Sequence, residues 1–172
     1  MAIYFPNSEL TDPAGESWRI TSNFTGDNNV MGGNSLTNWE KSDDVYGGGN
    51  LSTPILSESN GVFTFQTYGW FLINWTHYSY INDNCRWSEM QLYVSWNGGS
   101  NYDWHGNSAN NTSPNTSANY SMGGSSTGFV LGNSNTRLRW GISVENNSTT
   151  TYGASDGLGT GFSIVKIASE NP

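Results

Sequence analysis

The sequence predicts an all-β protein, an antiparallel two-sheet β-sandwich of the jelly-roll type. Several short segments alternate apolar and polar residues, as strands with one buried face do. No segment has a convincing 3.6-residue period, and strands do not alternate with helices. No repeat of 20–50 residues is present, which argues against a solenoid or a propeller. About eight to ten strands of ordinary length then fit two packed sheets.

The chain of 172 residues predicts one folded domain preceded by an arm. We place the N-terminal arm at residues 1–17 and a single jelly-roll domain at 18–172. The arm has two prolines and little periodicity, but Tyr4 and Phe5 belong to a compact apolar cluster. This cluster favours docking of the arm against a partner, although a plain tether fits the sequence equally well.

The first half of the domain is organised around residues 61–75, the densest apolar and aromatic run in the chain. We interpret it as a β-hairpin, with a tight turn at Thr67-Tyr68-Gly69 and a nearly continuous apolar second strand that extends to Tyr80. Before it, an alternating strand is predicted at 18–24 and a short, weak one at 36–41.

The second half contains further alternating segments and two polar loops. In the segment 87–96, Ser88, Met90, Leu92, Val94 and Trp96 form the better core face. The other predicted strands are 118–122, 127–131, 136–144 and 161–168, with a Gly-Gly break between the first two. The loops are 101–119 and 146–159, and the first is too polar to contribute to the core.

Composition excludes several classes of function. Six Lys and Arg against fourteen Asp and Glu give a net charge of −8, which disfavours binding to nucleic acid or to an anionic membrane surface. The single cysteine, Cys85, forms no internal disulfide. No secretory leader and no apolar run of transmembrane length are recognisable, so synthesis in a reducing cytosol is expected.

No motif points to catalysis, and we expect no enzyme. The two histidines, His77 and His105, are far apart in sequence and have no Cys partner for zinc. No Gly-x-Ser-x-Gly elbow is present. Carboxylates such as Asp103 sit in turns or on alternating strands, where a solvated side chain is the ordinary explanation. We expect no cofactor and leave calcium open, with oxygen ligands at Asp43-Asp44 or around Asp83.

The spacing of Leu56, Phe63, Gly69, Phe71, Ile73 and Trp75 resembles that of the tumour-necrosis-factor and complement-globular-head superfamily of trimeric jelly rolls. The closing segment Thr160–Ala168 is similar to the last strand of that family, and Gly132–Trp140 is similar to a loop and strand that line its trimer. The resemblance covers roughly residues 55–168. It implies a homotrimer, and we assign Trp140, Phe162 and Tyr80 to the interface.

The Asn-, Ser-, Thr- and Gly-rich surface looks more like jelly-roll proteins of bacteriophages. This resemblance implies a capsid decoration protein on the virion surface, made in the host cytoplasm and bound to the major capsid protein through Tyr4 and Phe5. The alternative is the receptor- or glycan-binding tip of a tail fibre, with Tyr102, Trp104 and Tyr120 as the binding residues. A polysaccharide-degrading enzyme that uses Asp103 is the third hypothesis.

Overall fold

The computed structural model describes residues 14–27, 36–42, 54–81, 85–111, 120–154 and 159–169. Within these ranges the chain forms twelve strands and no helix, so none that is long and apolar enough to cross a membrane. In chain order the strands are β1 (Gly15–Ile20), β2 (Phe24–Thr25), β3 (Trp39–Lys41), β4 (Leu56–Ser59), β5 (Val62–Phe65), β6 (Gly69–Ile81), β7 (Trp87–Ser95), β8 (Asp103–Asn111), β9 (Tyr120–Gly132), β10 (Arg137–Val144), β11 (Thr150–Thr151) and β12 (Gly161–Ala168).

The first sheet is built on β6. Along one edge β6 pairs with β9 over its whole length, from Gly69 opposite Gly132 to Ile81 opposite Tyr120. Along its other edge β6 pairs with β12 and then with β11. The sheet continues from β12 to β1 and β3, and from β11 to β2, with every pairing antiparallel.

The second sheet has the order β4-β5-β10-β7-β8 and is also antiparallel. The two sheets pack face to face, and their edge strands β8 and β9 approach each other at one side. There Nε2 of His105 lies 3.0 Å from the carbonyl oxygen of Phe129. The predicted fold class, an antiparallel two-sheet sandwich of the jelly-roll type, is therefore confirmed.

The core lies between the sheets and is rich in aromatic side chains. Trp75 from β6 contacts Trp140 from β10, with ring centroids 5.5 Å apart. Trp140 in turn stacks on Phe162 from β12 at 4.9 Å. Each such side chain contributes on the order of 1.5–3 kcal/mol through removal of its apolar surface from water. Along most of the strands these inward residues alternate with outward ones, as the sequence pattern predicted.

The predicted hairpin at 61–75 is wrong, because β5 and β6 belong to different sheets. The connection crosses from one sheet to the other, and the rings of Phe65 and Phe71 meet across the sandwich at 4.9 Å. Gly69 starts β6 with a φ of +151°, and a Cβ there would lie 2.4 Å from the carbonyl oxygen of Ala168. Glycine is thus required where the chain crosses over.

The hairpin in this region instead joins β4 to β5. Its two turn residues, Asn60 and Gly61, both have positive φ angles, 51° and 76°. Asn-Gly with two positive φ angles is the preferred sequence of a two-residue hairpin turn whose twist matches that of its strands. The prediction did not use this dipeptide, although it is the local sequence signal for the hairpin.

Three boundaries also differ from the prediction. Strand β1 begins at Gly15, so the last residues of the predicted arm belong to the sheet. Strand β8 occupies 103–111, inside the predicted loop 101–119, because its backbone pairs with β7 regardless of side-chain polarity. Strand β9 runs unbroken through Gly123 and Gly124, which pair with Tyr78 and His77 of β6.

Alternation identifies the inward face of β7 but fails at two strand ends. Ser88, Met90, Leu92 and Val94 are buried, as predicted, whereas Trp96 lies just beyond the end of β7 and is exposed. In β12 the register with β6 shifts between Lys166 and Ala168. Beyond Lys166, which is buried, Ile167 lies exposed on the outer surface.

A buried carboxylate joins the two sheets at the start of β1. Glu16 accepts hydrogen bonds from the indole nitrogen of Trp18 (3.0 Å) and from Nζ of Lys41 (2.7 Å), both in the first sheet. It also accepts bonds from the backbone nitrogens of Ile55 (2.8 Å) and Leu56 (3.3 Å), where the second sheet begins. Four donors surrounding one carboxylate satisfy the charge that burial would otherwise penalise.

Candidate functional surfaces

Two of the three predicted interface residues are core residues. Trp140 is 0% exposed and Phe162 is 2% exposed, so neither offers surface to a partner. This corrects their assignment to the trimer interface. Both side chains point inward because they follow the apolar alternation of β10 and β12. Tyr80 is half-buried, and its ring lies 6.2 Å from that of Tyr152.

The structure separates the residues that were predicted to bind a ligand at the surface. Trp104 is 58% exposed on β8. Tyr102 is half-buried with the guanidinium of Arg139 over its ring at 4.3 Å, and burial raises the pKa of its hydroxyl. Tyr120 opens β9, but its side chain lies outside the described residues. The predicted attachment residues Tyr4 and Phe5 also lie outside the described residues.

An apolar stripe crosses the outer face of the first sheet at one end. In register, Leu72 of β6 lies between Phe129 of β9 and Val165 of β12. Phe129 is 57% exposed and Val165 is 44% exposed, although both are large and apolar. The stripe comprises Trp70, Leu72, Phe129, Leu131, Val165 and Ile167.

The prediction missed the stripe, although the sequence contained a signal for it. Trp70-Phe71-Leu72-Ile73 is apolar on both faces of β6, and such continuous runs are typical of strands covered on both sides. Phe71 and Ile73 point into the core and are completely buried, which leaves Trp70 and Leu72 on the outer face.

An aromatic cluster lies at the edge where β8 and β9 meet. We define this edge cluster as Trp96, His105 and Phe129. The rings of Trp96 and His105 are 6.5 Å apart in an edge-to-face arrangement, and His105 is bonded to the Phe129 backbone. Phe129 belongs to both the edge cluster and the apolar stripe, so the two surfaces are continuous.

A polar row follows the outer face of the second sheet. The hydroxyl of Tyr93 donates to Oε1 of Gln91 at 2.7 Å. The amide nitrogens of Gln91 and of Asn107 each donate to one oxygen of the Glu89 carboxylate. We call Glu89, Gln91 and Asn107 the polar row. All three side chains are half-buried, and Trp104 lies beside them on the same face.

The interior around His77 is polar but closed to solvent. His77 is 1% exposed, and its Nε2 lies 3.3 Å from the Thr151 hydroxyl and 3.4 Å from that of Ser88. Burial lowers the pKa of His77 from 6.5 to about 4, so the ring is neutral at pH 7. A neutral imidazole without access to solvent cannot meet a substrate, and we therefore interpret His77 as a packing residue.

In the part of the chain that the structure describes, no three His, Cys, Asp or Glu side chains are grouped to hold a metal ion. The calcium ligands considered from the sequence, Asp43, Asp44, Asn50 and Asp83, lie outside these residues. Several carboxylates that the structure does place have other partners, such as Glu89 in the polar row.

No protein-family model matches the chain, and no curated protein matches it. Among solved structures it is similar to Eiger TNF from S. frugiperda, with a TM-score of 0.66 at 10% identity over 94% of this chain and 95% of that one. It is also similar to murine APRIL at pH 5.0, with a TM-score of 0.61 at 10% identity over 91% of this chain and 100% of that one. The chain therefore has a tumour-necrosis-factor-like jelly-roll fold.

Proposed function

We propose that the chain is a structural protein without catalytic activity, and that it assembles as a homotrimer through the outer face of its first sheet. The apolar stripe is the observation that carries this proposal. Soluble proteins rarely leave large contiguous apolar patches in water, and such patches mark interaction sites. A second copy of this chain is the partner that the sequence resemblance supports.

The stripe and the edge cluster suggest how copies would contact each other. One is the outer face of the first sheet, and the other is the adjacent edge, where the rings of Trp96 and His105 lie. Two unlike surfaces that fit each other produce a head-to-tail contact, and such contacts close into a ring when the rotation allows it. We propose that the edge of one subunit packs on the stripe of the next, with three subunits in the ring. Tyr80 remains the predicted contact at the far end of the same face.

Within this assembly we propose the more specific role of a capsid decoration protein of a tailed bacteriophage. Support comes from the sequence resemblance, from the low charge and from the uncharged polar surface. Its partner would be the major capsid protein, which the arm would contact through Tyr4 and Phe5. The protein would then reside on the capsid surface after synthesis in the host cytoplasm.

Light scattering coupled to size-exclusion chromatography tests the trimer. A chain of 18.8 kDa should elute with a mass of three times that value, about 56 kDa, at micromolar concentration. Val165→Asp places three charges in the proposed interface and should shift the mass toward that of one chain. Ser57→Asp adds the same charge to an exposed site on β4 and should leave the mass unchanged. A wild-type monomer would refute the proposal.

Location in the virion tests the decoration role separately. A cryo-EM map of the phage particle should show the trimer on the capsid surface, at a copy number that follows the capsid symmetry. Density for the chain only at the end of a fibre would refute decoration and leave the trimer intact.

That second location corresponds to the alternative function, the glycan- or receptor-binding tip of a fibre. The exposure of Trp104 on an ordered strand favours it, because a large aromatic side chain in water is typical of a binding surface.

A further inference from the structure

We infer that the outer face of the second sheet carries a binding site for neutral carbohydrate, formed by Trp104 and the polar row. This inference rests on the alternative function, the fibre tip, and gives it a site and a ligand class. It does not require that the protein decorate a capsid.

The strand register places the site residues side by side. Trp104 of β8 lies opposite Tyr93 of β7, and Asn107 lies opposite Gln91. Glu89 is two residues before Gln91 and therefore points to the same face, about 7 Å further along β7. Leu92 and Met90 point the other way into the core, which confirms that the site faces outward.

The polar row is held in place by its own hydrogen bonds. The amide of Gln91 is fixed from both sides, since its oxygen accepts from Tyr93 and its nitrogen donates to Glu89. Asn107 is fixed by its bond to the other oxygen of Glu89. A ligand that binds such a row does not have to order these side chains, so less entropy is lost on binding.

The side chains of the polar row still have donor and acceptor positions that these internal hydrogen bonds do not use. Each amide nitrogen has two hydrogens, and its bond to Glu89 uses one. The Glu89 carboxylate has about four acceptor positions, of which the two amides occupy two. Donors and acceptors therefore alternate within a short distance, as is needed to bind adjacent sugar hydroxyls, each of which both donates and accepts.

Trp104 supplies the apolar half of the site. A pyranose ring has hydroxyls at its rim and C–H groups on its face, and an exposed indole ring offers a flat apolar surface for that face. Trp104 is 58% exposed, whereas Tyr93 opposite it is only 6% exposed. The tyrosine thus positions the row, and the tryptophan is the side chain free to stack.

Charge limits the ligand to neutral sugars. The site contains the Glu89 carboxylate, and the chain as a whole carries a net charge of −8. Sialic and uronic acids would bring a second carboxylate next to the first, which repels it. Of the cations on the neighbouring strand β10, Arg139 has its guanidinium against the ring of Tyr102, and Arg137 donates to the carbonyl oxygens of Ser134 and Thr136.

An oligosaccharide array with neutral and sialylated members tests this inference. Labelled wild-type protein should bind neutral members, and the strongest of these is then titrated by biolayer interferometry. Trp104→Ala should weaken binding about tenfold or more, the loss of one stacking contact. Glu89→Gln should also weaken binding, because the new NH₂ group would face the amide NH₂ group of either Gln91 or Asn107. Tyr68→Ala is the matched control: it removes an exposed aromatic side chain that belongs neither to the site nor to the stripe or the edge cluster, and it should bind as the wild type does.

Light scattering of each variant separates binding from assembly. Trp104→Ala should keep the mass of the wild-type assembly although its binding to the carbohydrate is weakened. The inference is overturned if no neutral member binds, if only sialylated members bind, or if Trp104→Ala and Tyr68→Ala weaken binding equally. It is also overturned if Trp104→Ala lowers the mass, since Trp104 would then be a subunit contact. The results on the binding of sugars do not bear on the Val165→Asp test of the trimer.

Discussion

Glu16 offers the sharpest test of how the two sheets are held together. Its oxygen Oε1 accepts from Lys41 and from the Ile55 backbone, and its oxygen Oε2 accepts from Trp18 and from the Leu56 backbone. Glu16→Gln preserves the shape of the side chain but replaces one oxygen with an NH₂ group. Whichever way the amide turns, that group faces two donors, so two of the four hydrogen bonds are lost.

The expected cost follows from the burial of the site. Glu16 is 3% exposed, and a buried donor without an acceptor costs about 1–3 kcal/mol. Loss of the carboxylate also removes the charge that stabilises Lys41 at 2.7 Å. We therefore expect Glu16→Gln to lower the free energy of unfolding by about 3–5 kcal/mol, a large share of the usual stability of a domain.

Urea denaturation at a fixed protein concentration measures this change, because association would make the midpoint depend on concentration. Asp103→Asn is the control, since it also neutralises a carboxylate but lies at an exposed position on β8. A substitution at such an exposed site changes stability by about 0.5 kcal/mol or less. If Glu16→Gln changed stability by no more than Asp103→Asn, the carboxylate of Glu16 would not be joining the sheets.

Two further predictions concern the interior. Burial lowers the pKa of His77 to about 4, whereas in the unfolded chain it is near 6.5. The unfolded state therefore binds a proton first, and the free energy of unfolding should be highest above pH 6.5 and fall as the pH is lowered to 4. This amounts to about 3 kcal/mol, and denaturation across that range should show a smaller pH slope in His77→Gln. Phe71→Ala should cost about 3–5 kcal/mol, because Phe71 is completely buried, and an unchanged melting temperature would refute its place in the core.

The alternating pattern predicted the fold class because most strands have one face that is buried in the core. In β10, Leu138, Trp140, Ile142 and Val144 alternate cleanly, and all four are buried. The partners of each strand were less predictable. Residues 62–65 and 69–81 are close in sequence and were interpreted as one hairpin, yet they lie in different sheets. Sequence proximity does not distinguish a tight turn from a crossing between sheets, whereas turn dipeptides such as Asn60-Gly61 mark a true hairpin.

The surfaces were harder to predict than the core. Of the aromatic residues predicted at the surface, Trp104 is exposed, whereas Tyr102 is half-buried against Arg139. Trp140 has Leu138 and Ile142 two residues away on either side, so alternation places it in the core despite the family resemblance. Trp104 follows Asp103 and precedes His105, and the register shift between Leu92 and Tyr93 sets which way it faces. A register shift of this kind depends on the pairing of two strands and leaves no local signal.

The apolar run of β6 connects the fold to the proposed assembly. A strand with apolar residues at alternate positions has one apolar face, and in β6 the second sheet packs against that face, which carries Phe71 and Ile73. A strand with apolar residues at consecutive positions has two apolar faces, and in β6 Leu72 lies on the face opposite Phe71. Its neighbours in register, Phe129 and Val165, are both exposed in the single chain. We propose that another copy of the chain packs on this face, because association of identical chains would bury it on every subunit at once.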